Sequence, residues 1–392
     1  MNVLERLDST IQFSDEEKLL LESVRALVQD QIAPKAEELD ITGEFPVDNM
    51  NAINALGLNA MFIPEAYGGA GLSYKVYLEC VREISKACAS TGITWATNYH
   101  AVKPLVEFGS EEQKIRLLPK IAEGGMGALC ITEPSAGSDA TGMKTKFRPD
   151  GDEIVINGGK IFITNGAVAD LYLLFGKWAE IEDDKKAISV LIVEKGTPGL
   201  EVVRKEDKMG NRASATNELA FTDCRVPRAN LIGGPGEGLR ILLASLNKSR
   251  PSTAAHALGI ARAAFEESVK YVNERKQFHR NIIDFQGIQF MLADNATDLA
   301  MCEAWMWHVA RLVDGGIDDF GVAASMLKMR ASDLAMRLAT DAVQLFGGYG
   351  YCKGYKVERL MRDAKITQIW EGTNQIHRQL IGRGFKANQE RG

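Results

Sequence analysis

The sequence predicts a mixed fold, mainly α-helical, with a small β domain in the middle of the chain. Apolar residues recur at helical spacing up to about residue 127, and short apolar runs bounded by turn residues occupy residues 127–227. Helical spacing returns after residue 236. The order is therefore α, β, α, and we expect domains over residues 1–127, 128–235 and 236–392.

In the N-terminal region, Ser14 and Glu17 form a capping box that predicts the start of a helix. Pro34 falls within the helical pattern that follows and is expected to kink or restart the helix. A glycine-rich turn at residues 67–71 interrupts the pattern. Further helices are predicted over residues 47–55, 75–89, 95–108 and 111–121.

The β domain and the C-terminal region are predicted from their contrasting periodicities. Short apolar runs typical of strands cover residues 153–156, 171–175, 188–193 and 218–221. Helical segments follow near residues 239–275, 284–314, 321–346 and 373–385.

Composition narrows the class of protein. The net charge of −6 and the absence of a long basic run argue against a nucleic-acid partner. The six cysteines lack ligand-like spacing, so reduced core thiols and a reducing compartment are expected. No apolar run reaches membrane-spanning length, and the first residues do not resemble a presequence. These observations predict a cytoplasmic protein without membrane or nucleic-acid partners, and the five histidines do not suggest a metal site.

A lone carboxylate, Glu371, lies between Trp370 and Gly372 near the C-terminus. The indole would take the carboxyl group partly out of water and disfavour its ionised form, which suits a general base. Gly372 leaves room for a ligand. The alternative interpretation is a helix start, with Thr373 as N-cap and Glu371 solvated beside the positive helix end.

Two further segments suggest a cofactor site. The sequence ITEPSAGSD at residues 131–139 forms a turn whose Thr132 and Ser138 hydroxyls and free amides can bind oxygens of a flat, polar cofactor. Small polar residues are also ordinary in loops. The sequence KIFITNG at residues 160–166 alternates like a strand, so Phe162 and Thr164 share one face.

These motifs, in this order, resemble the acyl-CoA dehydrogenase family, and the resemblance covers nearly the whole chain. Each motif is weak alone, but their joint order and spacing are very specific. The segments that carry the resemblance are ITEPSAGSD (131–139), KIFITNG (160–166), KMGNRASAT (208–216), ERKQF (274–278), QLFGG (344–348) and MRDAKITQIWEGTNQIHR (361–378).

The resemblance implies a C-terminal four-helix bundle and a flavoprotein of fatty acid β-oxidation that holds FAD between the bundle and the β domain. Phe162 stands where tryptophan is commoner in the family, and it retains an aromatic ring without the indole donor. The residues implied to contact the flavin are Leu129, Ile131, Thr132, Ser138, Phe162, Thr164, Thr373 and Gln375.

A second set is implied to reach the adenine and pyrophosphate end of FAD from a neighbouring subunit, so a homotetramer, a dimer of dimers, is expected. An exposed charge paired with Glu274 or Glu267 is the alternative for the arginine of this set. The set consists of Arg275, Gln277, Phe278, Gln344, Gly347 and Gly348.

The resemblance also implies the chemistry: Glu371 takes the α-proton while flavin N5 accepts hydride from the β-carbon of an acyl-CoA. Some members carry the base where this chain has Ser249, and a hydroxyl cannot replace a carboxylate there. A buried structural ion pair is the alternative for the arginine among the implied substrate contacts. Those contacts are Ser138, Asn247, Arg250 and Gly372.

Residues 91–102 are expected to set the depth of the acyl pocket. Thr91 stands where glutaryl-CoA-oxidising relatives carry an arginine, which disfavours a dicarboxylyl substrate. Gly92 and Ala96 either widen the pocket or allow close helix packing, and Trp95 or Tyr99 can refill it. A short- or medium-chain acyl group, branched or alicyclic ones included, is therefore expected.

The expected electron acceptor is an electron-transfer flavoprotein, because bound product and excluded water would suppress reaction with oxygen. Two alternatives are a family-like flavin oxidase or monooxygenase that uses oxygen, and a noncatalytic relative. Retention of Glu371 and Arg250 argues against the first, and retention of the base together with the helical bundle argues against the second.

Overall fold

The computed structural model describes Leu4, Arg6 and residues 10–385, and within these it confirms the predicted fold class. Ser14 and Glu17 form the predicted capping box at the first described helix. That helix passes through a π-helical turn, Val28–Ile32, and restarts with Pro34 in the first turn of the next helix, where a missing amide hydrogen costs nothing.

The N-terminal helices surround one nearly fully buried helix, α5, which packs against α4, the first strand of the sheet and the long C-terminal helix that follows the sheet. This position makes α5 a wall shared by the helical regions and the sheet. The helices of this region are α1 (Asp15–Leu27), α2 (Ala33–Thr42), α3 (Val47–Ala55), α4 (Tyr74–Ala87), α5 (Ala89–Phe108) and α6 (Glu111–Ala122).

The central region is a mainly antiparallel sheet in the order β6-β7-β3-β2-β4-β5-β8, with β1 parallel to β4. The register of β3 and β7 shifts between Lys160 and Ile163. Phe162 lies in this bulge with φ of +60°, and a bulge of this kind redirects a side chain away from the regular alternation. The strands are β1 (Gly127–Cys130), β2 (Lys146–Asp150), β3 (Glu153–Thr164), β4 (Leu171–Trp178), β5 (Ile188–Glu194), β6 (Leu200–Lys205), β7 (Thr216–Pro227) and β8 (Leu231–Ile232).

The C-terminal region is built on one long helix, α7, which packs against α8, α9 and α10, while α9 also packs against α11. Helix α10 is not among the predicted segments because its sequence is strongly charged and only its narrow inner face is apolar. The elements are α7 (Gly238–Glu274), β9 (Lys276–Gln277), β10 (Arg280–Asn281), α8 (Gln286–Asp314), α9 (Gly321–Phe346), α10 (Lys356–Thr367) and α11 (Asn374–Arg383).

A buried ion-pair network fixes the N-terminal helices against the C-terminal ones. Arg82 on α4 lies 2.7 Å from Glu303 on α8, and Arg262 on α7 lies 3.1 Å from the second oxygen of Glu303. Losing one member of such a network strands a buried charge, so the network favours a single arrangement of the three helices. Among residues 10–385, no helix combines the length and apolarity needed to cross a membrane.

Candidate active site

A cavity of about 660 Å³ opens where α5, the sheet and the loop between α10 and α11 meet. It gathers residues from segments that are far apart in the sequence. The residues implicated from the sequence that line it are Leu129, Ile131, Thr132, Ser138, Phe162, Thr164, Glu371, Gly372 and Thr373.

The remaining implicated residues lie elsewhere. A second depression of about 470 Å³ is lined by Arg275, Gln277, Gly347 and Gly348, together with Tyr349. Three side chains are exposed and line neither cavity: Phe278, Gln344 and Gln375. Asn247 and Arg250 also lie outside both cavities and contact each other.

Glu371 has a left-handed backbone conformation, with φ of +52°, which is uncommon for a residue with a side chain. Its side chain is 18% exposed and lies on the cavity wall. Thr373 does cap α11 by accepting a hydrogen bond from the Ile376 amide at 3.3 Å. Glu371 is nevertheless not a solvated residue beside a helix end, because its backbone conformation directs the carboxylate into the cavity.

The two carboxylate oxygens of Glu371 have different surroundings. The Ser249 hydroxyl, on α7, donates a hydrogen bond to Oε2. Oε1 faces Nδ1 of His100, on α5, at 3.9 Å, which exceeds hydrogen-bond distance. The position that holds the base in some relatives thus supplies a hydrogen-bond donor to the base here. Neither this contact nor the place of His100 beside Glu371 is predicted from the sequence.

Two buried side chains hold the backbone of the Glu371 loop. Lys328 Nζ, on α9, donates to the Gly372 carbonyl at 2.6 Å and to Asn374 Oδ1 at 3.1 Å. His377 Nε2 donates to the Glu371 carbonyl at 3.2 Å. Burial lowers the pKa of Lys328 to about 7 against the attraction of Glu371. Burial also lowers the pKa of His377 to about 3, so its ring is neutral near pH 7.

Arg250 is buried on α7 and donates from Nη1 to Asn247 Oδ1 at 3.0 Å and to Ser325 Oγ at 3.4 Å. Burial lowers its pKa, and the attraction of Glu371 opposes that effect. No carboxylate of the described residues forms a salt bridge with Arg250, and its Nε atom has no partner among them. The alternative of a structural ion pair therefore finds no support in this part of the chain.

The two segments implicated in flavin binding are joined by a buried ion pair that is not predicted from the sequence. Lys160 Nζ, on β3, lies 2.7 Å from Glu133 Oε1 and donates to the Ile131 carbonyl at 2.9 Å. Thr145 donates to Glu133 from its hydroxyl at 2.6 Å and from its amide at 3.0 Å. Burial would raise the pKa of Glu133, but Lys160 and these donors outweigh burial and lower it.

The large cavity fits a flavin. Phe162 is 60% exposed although it is a large apolar residue, and it lies on the cavity wall at a positive φ. An exposed aromatic ring held in an uncommon backbone conformation indicates a ligand surface. Leu129 adds apolar area, and the Thr132 and Ser138 hydroxyls supply polar contacts. A flat ring system with polar edges matches this wall.

The second depression has the chemistry of a nucleotide contact. The Arg275 guanidinium lies 5.5 Å from the centre of the Tyr349 ring. Glu267, one of its suggested pairing partners, instead pairs with Lys356 at 3.2 Å. Within residues 10–385, Arg275 forms no salt bridge with Glu274 either. An aromatic ring and a guanidinium side by side suit a base and a pyrophosphate.

The structure decides between the alternatives for α5. A Cβ on Gly92 would lie 2.1 Å from Ser85 Oγ, so Gly92 permits close packing against α4 and does not widen a pocket. Trp95 and Tyr99 are buried in an aromatic cluster around Tyr77.

Thr91 is also buried and accepts a hydrogen bond from Asn49 at 3.0 Å. It does not line the cavity, so the threonine side chain itself does not meet a ligand there. The α5 residues that do line the cavity are Ile93, Thr97 and His100.

Comparisons with known proteins agree with this geometry. Sequence profiles of the acyl-CoA dehydrogenase N-terminal, middle and C-terminal domains match residues 14–125, 128–224 and 236–386. An acyl-CoA dehydrogenase of Bacillus subtilis is 44% identical over 94% of this chain and 98% of its own length. A short-chain-specific acyl-CoA dehydrogenase of Clostridium acetobutylicum is 41% identical over 93% of this chain and 97% of its own.

Solved structures that resemble this chain also include acyl-CoA dehydrogenases. Butyryl-CoA dehydrogenase of Megasphaera elsdenii is 37% identical, has a TM-score of 0.93, and is matched over 96% of this chain and 100% of that one. A chain from a study of the electron transferring flavoprotein of Acidaminococcus fermentans is 42% identical, has a TM-score of 0.93 and gives the same coverage. An acyl-CoA dehydrogenase of Bacillus anthracis complexed with FAD is 32% identical, has a TM-score of 0.89, and is matched over 95% of this chain and 67% of that one.

The domain profiles together span most of the sequence, and the relatives match it almost end to end. The chain therefore belongs to the acyl-CoA dehydrogenase family and is an oxidoreductase that acts on the CH–CH bond of acyl-CoA.

Proposed function

We propose that this acyl-CoA dehydrogenase uses FAD to convert a short- or medium-chain acyl-CoA to the 2-enoyl-CoA, with Glu371 as the base for the α-proton. The observation that carries the proposal is the Glu371 carboxylate, which lies on the wall of the large cavity with Oε2 bound by Ser249 and Oε1 without a hydrogen bond among the described residues. A base needs one oxygen free to receive a proton.

FAD, when bound, supplies the acceptor for the hydride that leaves the β-carbon. The turn at Thr132 and Ser138, the strand at Phe162 and Thr164, and the cap residue Thr373 line the cavity and would hold it there. The Glu371 carboxylate removes the α-proton on the opposite side of the acyl chain.

The negative charge that develops on the thioester carbonyl oxygen has to be stabilised by a hydrogen-bond donor. The Glu371 amide makes no hydrogen bond to another described residue, so it is available to the thioester carbonyl. Arg250 and Asn247 lie behind the wall near Ser249, and we assign them the positioning of the thioester and CoA. Ser138 and Gly372 complete the substrate contacts on the cavity wall.

The short-chain preference is supported from two directions. Among the relatives are a short-chain-specific enzyme and a butyryl-CoA dehydrogenase. In this chain, Trp95 and Tyr99 fill the volume behind α5, and Gly92 is used for helix packing. These positions therefore do not widen the cavity on the α5 side, which favours a short acyl group.

We also propose that FAD binding requires assembly. Arg275, Gln277, Gly347 and Gly348 form a depression separate from the large cavity of the same chain, which supports their supply to the cofactor by a neighbouring subunit. We propose a homotetramer, a dimer of dimers, as that assembly. We also propose domain boundaries near residues 127 and 235, which the ends of the three profile matches support. The neighbour found in a study of an electron transferring flavoprotein supports such a flavoprotein as the electron acceptor.

The test is anaerobic titration of the purified, FAD-loaded protein with a panel of acyl-CoA thioesters from four carbons upward, monitored by flavin absorbance. Short straight-chain thioesters should bleach the flavin. If no thioester reduces it, the proposal fails. If oxygen consumption and not an electron-transfer flavoprotein sustains turnover, the flavin oxidase alternative replaces it.

Assembly is tested with Arg275→Ala. The variant should retain about tenfold less FAD after gel filtration and should dissociate more readily, because a charge-assisted contact to the cofactor is lost. Lys276→Ala, an exposed neighbour, is the matched control. Unchanged flavin content in Arg275→Ala would reject its role.

A further inference from the structure

A chain of buried polar side chains leads away from the free oxygen of Glu371. His100 Nδ1 lies 3.9 Å from Glu371 Oε1, and its other nitrogen, Nε2, lies 3.0 Å from Ser252 Oγ. Ser252 Oγ lies 2.8 Å from the Tyr77 hydroxyl, which donates to the Ala96 carbonyl at 3.2 Å. All of these side chains except Glu371 are buried between α4, α5 and α7.

The direction of the hydrogen bonds follows from the end of the chain. The Ala96 carbonyl can only accept, and with the Tyr77 hydrogen on that carbonyl the Tyr77 oxygen is left to accept the Ser252 hydrogen. Ser252 then accepts from His100, which requires the Nε2–H tautomer. Burial lowers the pKa of His100, although the attraction of Glu371 opposes this effect. The ring is therefore neutral, and Nδ1 carries a lone pair that can accept a hydrogen bond.

Two acceptors therefore face each other when Glu371 is ionised, and the 3.9 Å separation agrees with that, since a donor and a carboxylate would approach to about 2.8 Å. The interaction between Oε1 and His100 Nδ1 becomes attractive when Oε1 receives a proton. The neutral carboxyl group then has an O–H that can donate to His100 Nδ1, and the proton that left the α-carbon stays on Oε1.

We propose that His100 is a positioning residue that accepts a hydrogen bond from the protonated Glu371 carboxyl group, and that Ser252 and Tyr77 hold His100 in the tautomer this requires. The proposal rests on the function proposed above and deepens it. It assigns the proton to one oxygen, because Oε2 is already bound by the Ser249 hydroxyl. His100 thus favours the state of the base that exists only after proton transfer.

Other groups around Glu371 favour its ionised form. Lys328 on α9 and Arg250 on α7 attract the ionised carboxylate, and Ser249 donates to it. His377 on α11 contacts the Glu371 backbone carbonyl and is neutral. His256 on α7, also neutral, lies near His100 and so adds no charge to this side. Among these side chains, His100 is therefore the one that presents a hydrogen-bond acceptor to Oε1.

Because the two carboxylate oxygens of Glu371 have different partners, variants of those two partners should shift the pH profile in opposite directions. His100→Leu removes the acceptor, so ionised Glu371 becomes relatively more favourable, and the acid limb of anaerobic flavin reduction should move to lower pH by about one unit. The limiting rate should fall about tenfold, because the base is weaker. Ser249→Ala removes the donor on the other oxygen and should move the same limb to higher pH.

Two further variants separate this role from cavity shape. Ser252→Ala does not touch the cavity wall and should reproduce part of the His100→Leu shift through the tautomer, with KM little changed. Thr97→Val alters the wall beside His100 without touching the hydrogen-bond chain, and its pH profile should match the wild type. A limb that moves to higher pH in His100→Leu overturns the proposal, since it would mean that Nδ1 carries the hydrogen.

The tautomer itself can be read without turnover. In the FAD-loaded protein labelled with ¹⁵N-histidine, the His100 signals, identified by their loss in His100→Leu, should show a protonated Nε2 and an unprotonated Nδ1 near pH 7. A protonated Nδ1 would overturn the inference even if the enzyme is fully active. Absence of thioester-dependent flavin reduction with the expected tautomer would instead overturn the proposed function alone.

Discussion

Two glutamates in the two most distinctive motifs of this chain have opposite surroundings. Glu133, in the turn after β1, accepts hydrogen bonds from Lys160, from the Thr145 hydroxyl and from the amides of Lys144 and Thr145. Glu371, in the loop after α10, accepts one, from Ser249, and its other oxygen lies on the cavity wall. A carboxylate whose two oxygens both accept hydrogen bonds from the protein is structural, whereas one with a free oxygen can take part in chemistry.

The two lysines near these glutamates differ in the same way. Lys160 is paired directly with Glu133, and burial lowers its pKa while the carboxylate opposes that effect. Lys328 binds a backbone carbonyl and an amide oxygen and contacts no carboxylate of the described residues, and burial lowers its pKa to about 7. The loop that carries the base is thus held by a cation that is only weakly favoured in its buried place.

The largest effect on catalysis is expected for Glu371→Gln. The amide is isosteric but cannot accept the α-proton, so anaerobic flavin reduction should slow by two to four orders of magnitude, the usual range for a lost general base. FAD content and acyl-CoA binding should persist. Glu206→Gln, the same change elsewhere on the cavity wall, is the matched control and should retain most activity.

Glu133→Gln should instead damage stability and cofactor retention. It strands the buried Lys160 charge, which costs about 3 kcal/mol of unfolding free energy in comparable pairs. Chemical denaturation and FAD content after dialysis measure this, and the protein that keeps its FAD should reduce it at a near-normal rate. A slow but fully stable Glu133→Gln would reverse the roles of the two glutamates.

The same pair gives a pH dependence of stability. Because the pKa of Glu133 is lowered in the folded protein, its stabilising contribution is present above the ordinary glutamate range and is lost as the pH falls below about 4. Denaturation midpoints measured against pH should fall steeply there in the wild type and less steeply in Glu133→Gln. Equal slopes would show that the ion pair does not contribute.

Lys328→Met should have a smaller, more specific effect. The Gly372 carbonyl loses its donor, so Glu371 is held less accurately and kcat should fall about tenfold with little change in KM. The folded protein has a lowered Lys328 pKa, so in the wild type the stability rises with pH between about 7 and 10. Lys328→Met should lose that slope, and a variant with normal kcat would show that the loop does not depend on it.

The sequence predicted the elements that are locally encoded. Ser14 and Glu17 gave the start of the first described helix, and the bounds of α3 and α9 agree with the segments predicted at residues 47–55 and 321–346. Helix α10 was missed because its charged surface hides a narrow apolar face. The cavity-lining motifs were identified as contiguous segments, since turns and strands carry their signatures in neighbouring residues.

Contacts between distant segments were the part that sequence could not predict. Ser249 and Glu371 are 122 residues apart, and only the packing of α7 beside the loop brings them together. His100 and Lys328 lie inside long helices, and nothing in their own segments indicates that they reach the Glu371 loop. Likewise, Gly92 could be assigned to helix packing only once Ser85 on α4 was seen against it.

The most direct measurement of the central claim is deuterium incorporation at the α-carbon of a short acyl-CoA incubated anaerobically in D₂O with FAD-loaded enzyme, followed by mass spectrometry of the recovered thioester. The wild type and Glu133→Gln, once loaded, should exchange the α-hydrogen, and Glu371→Gln should not. Exchange at the wild-type rate in Glu371→Gln would contradict the account, because another group would then be removing the proton.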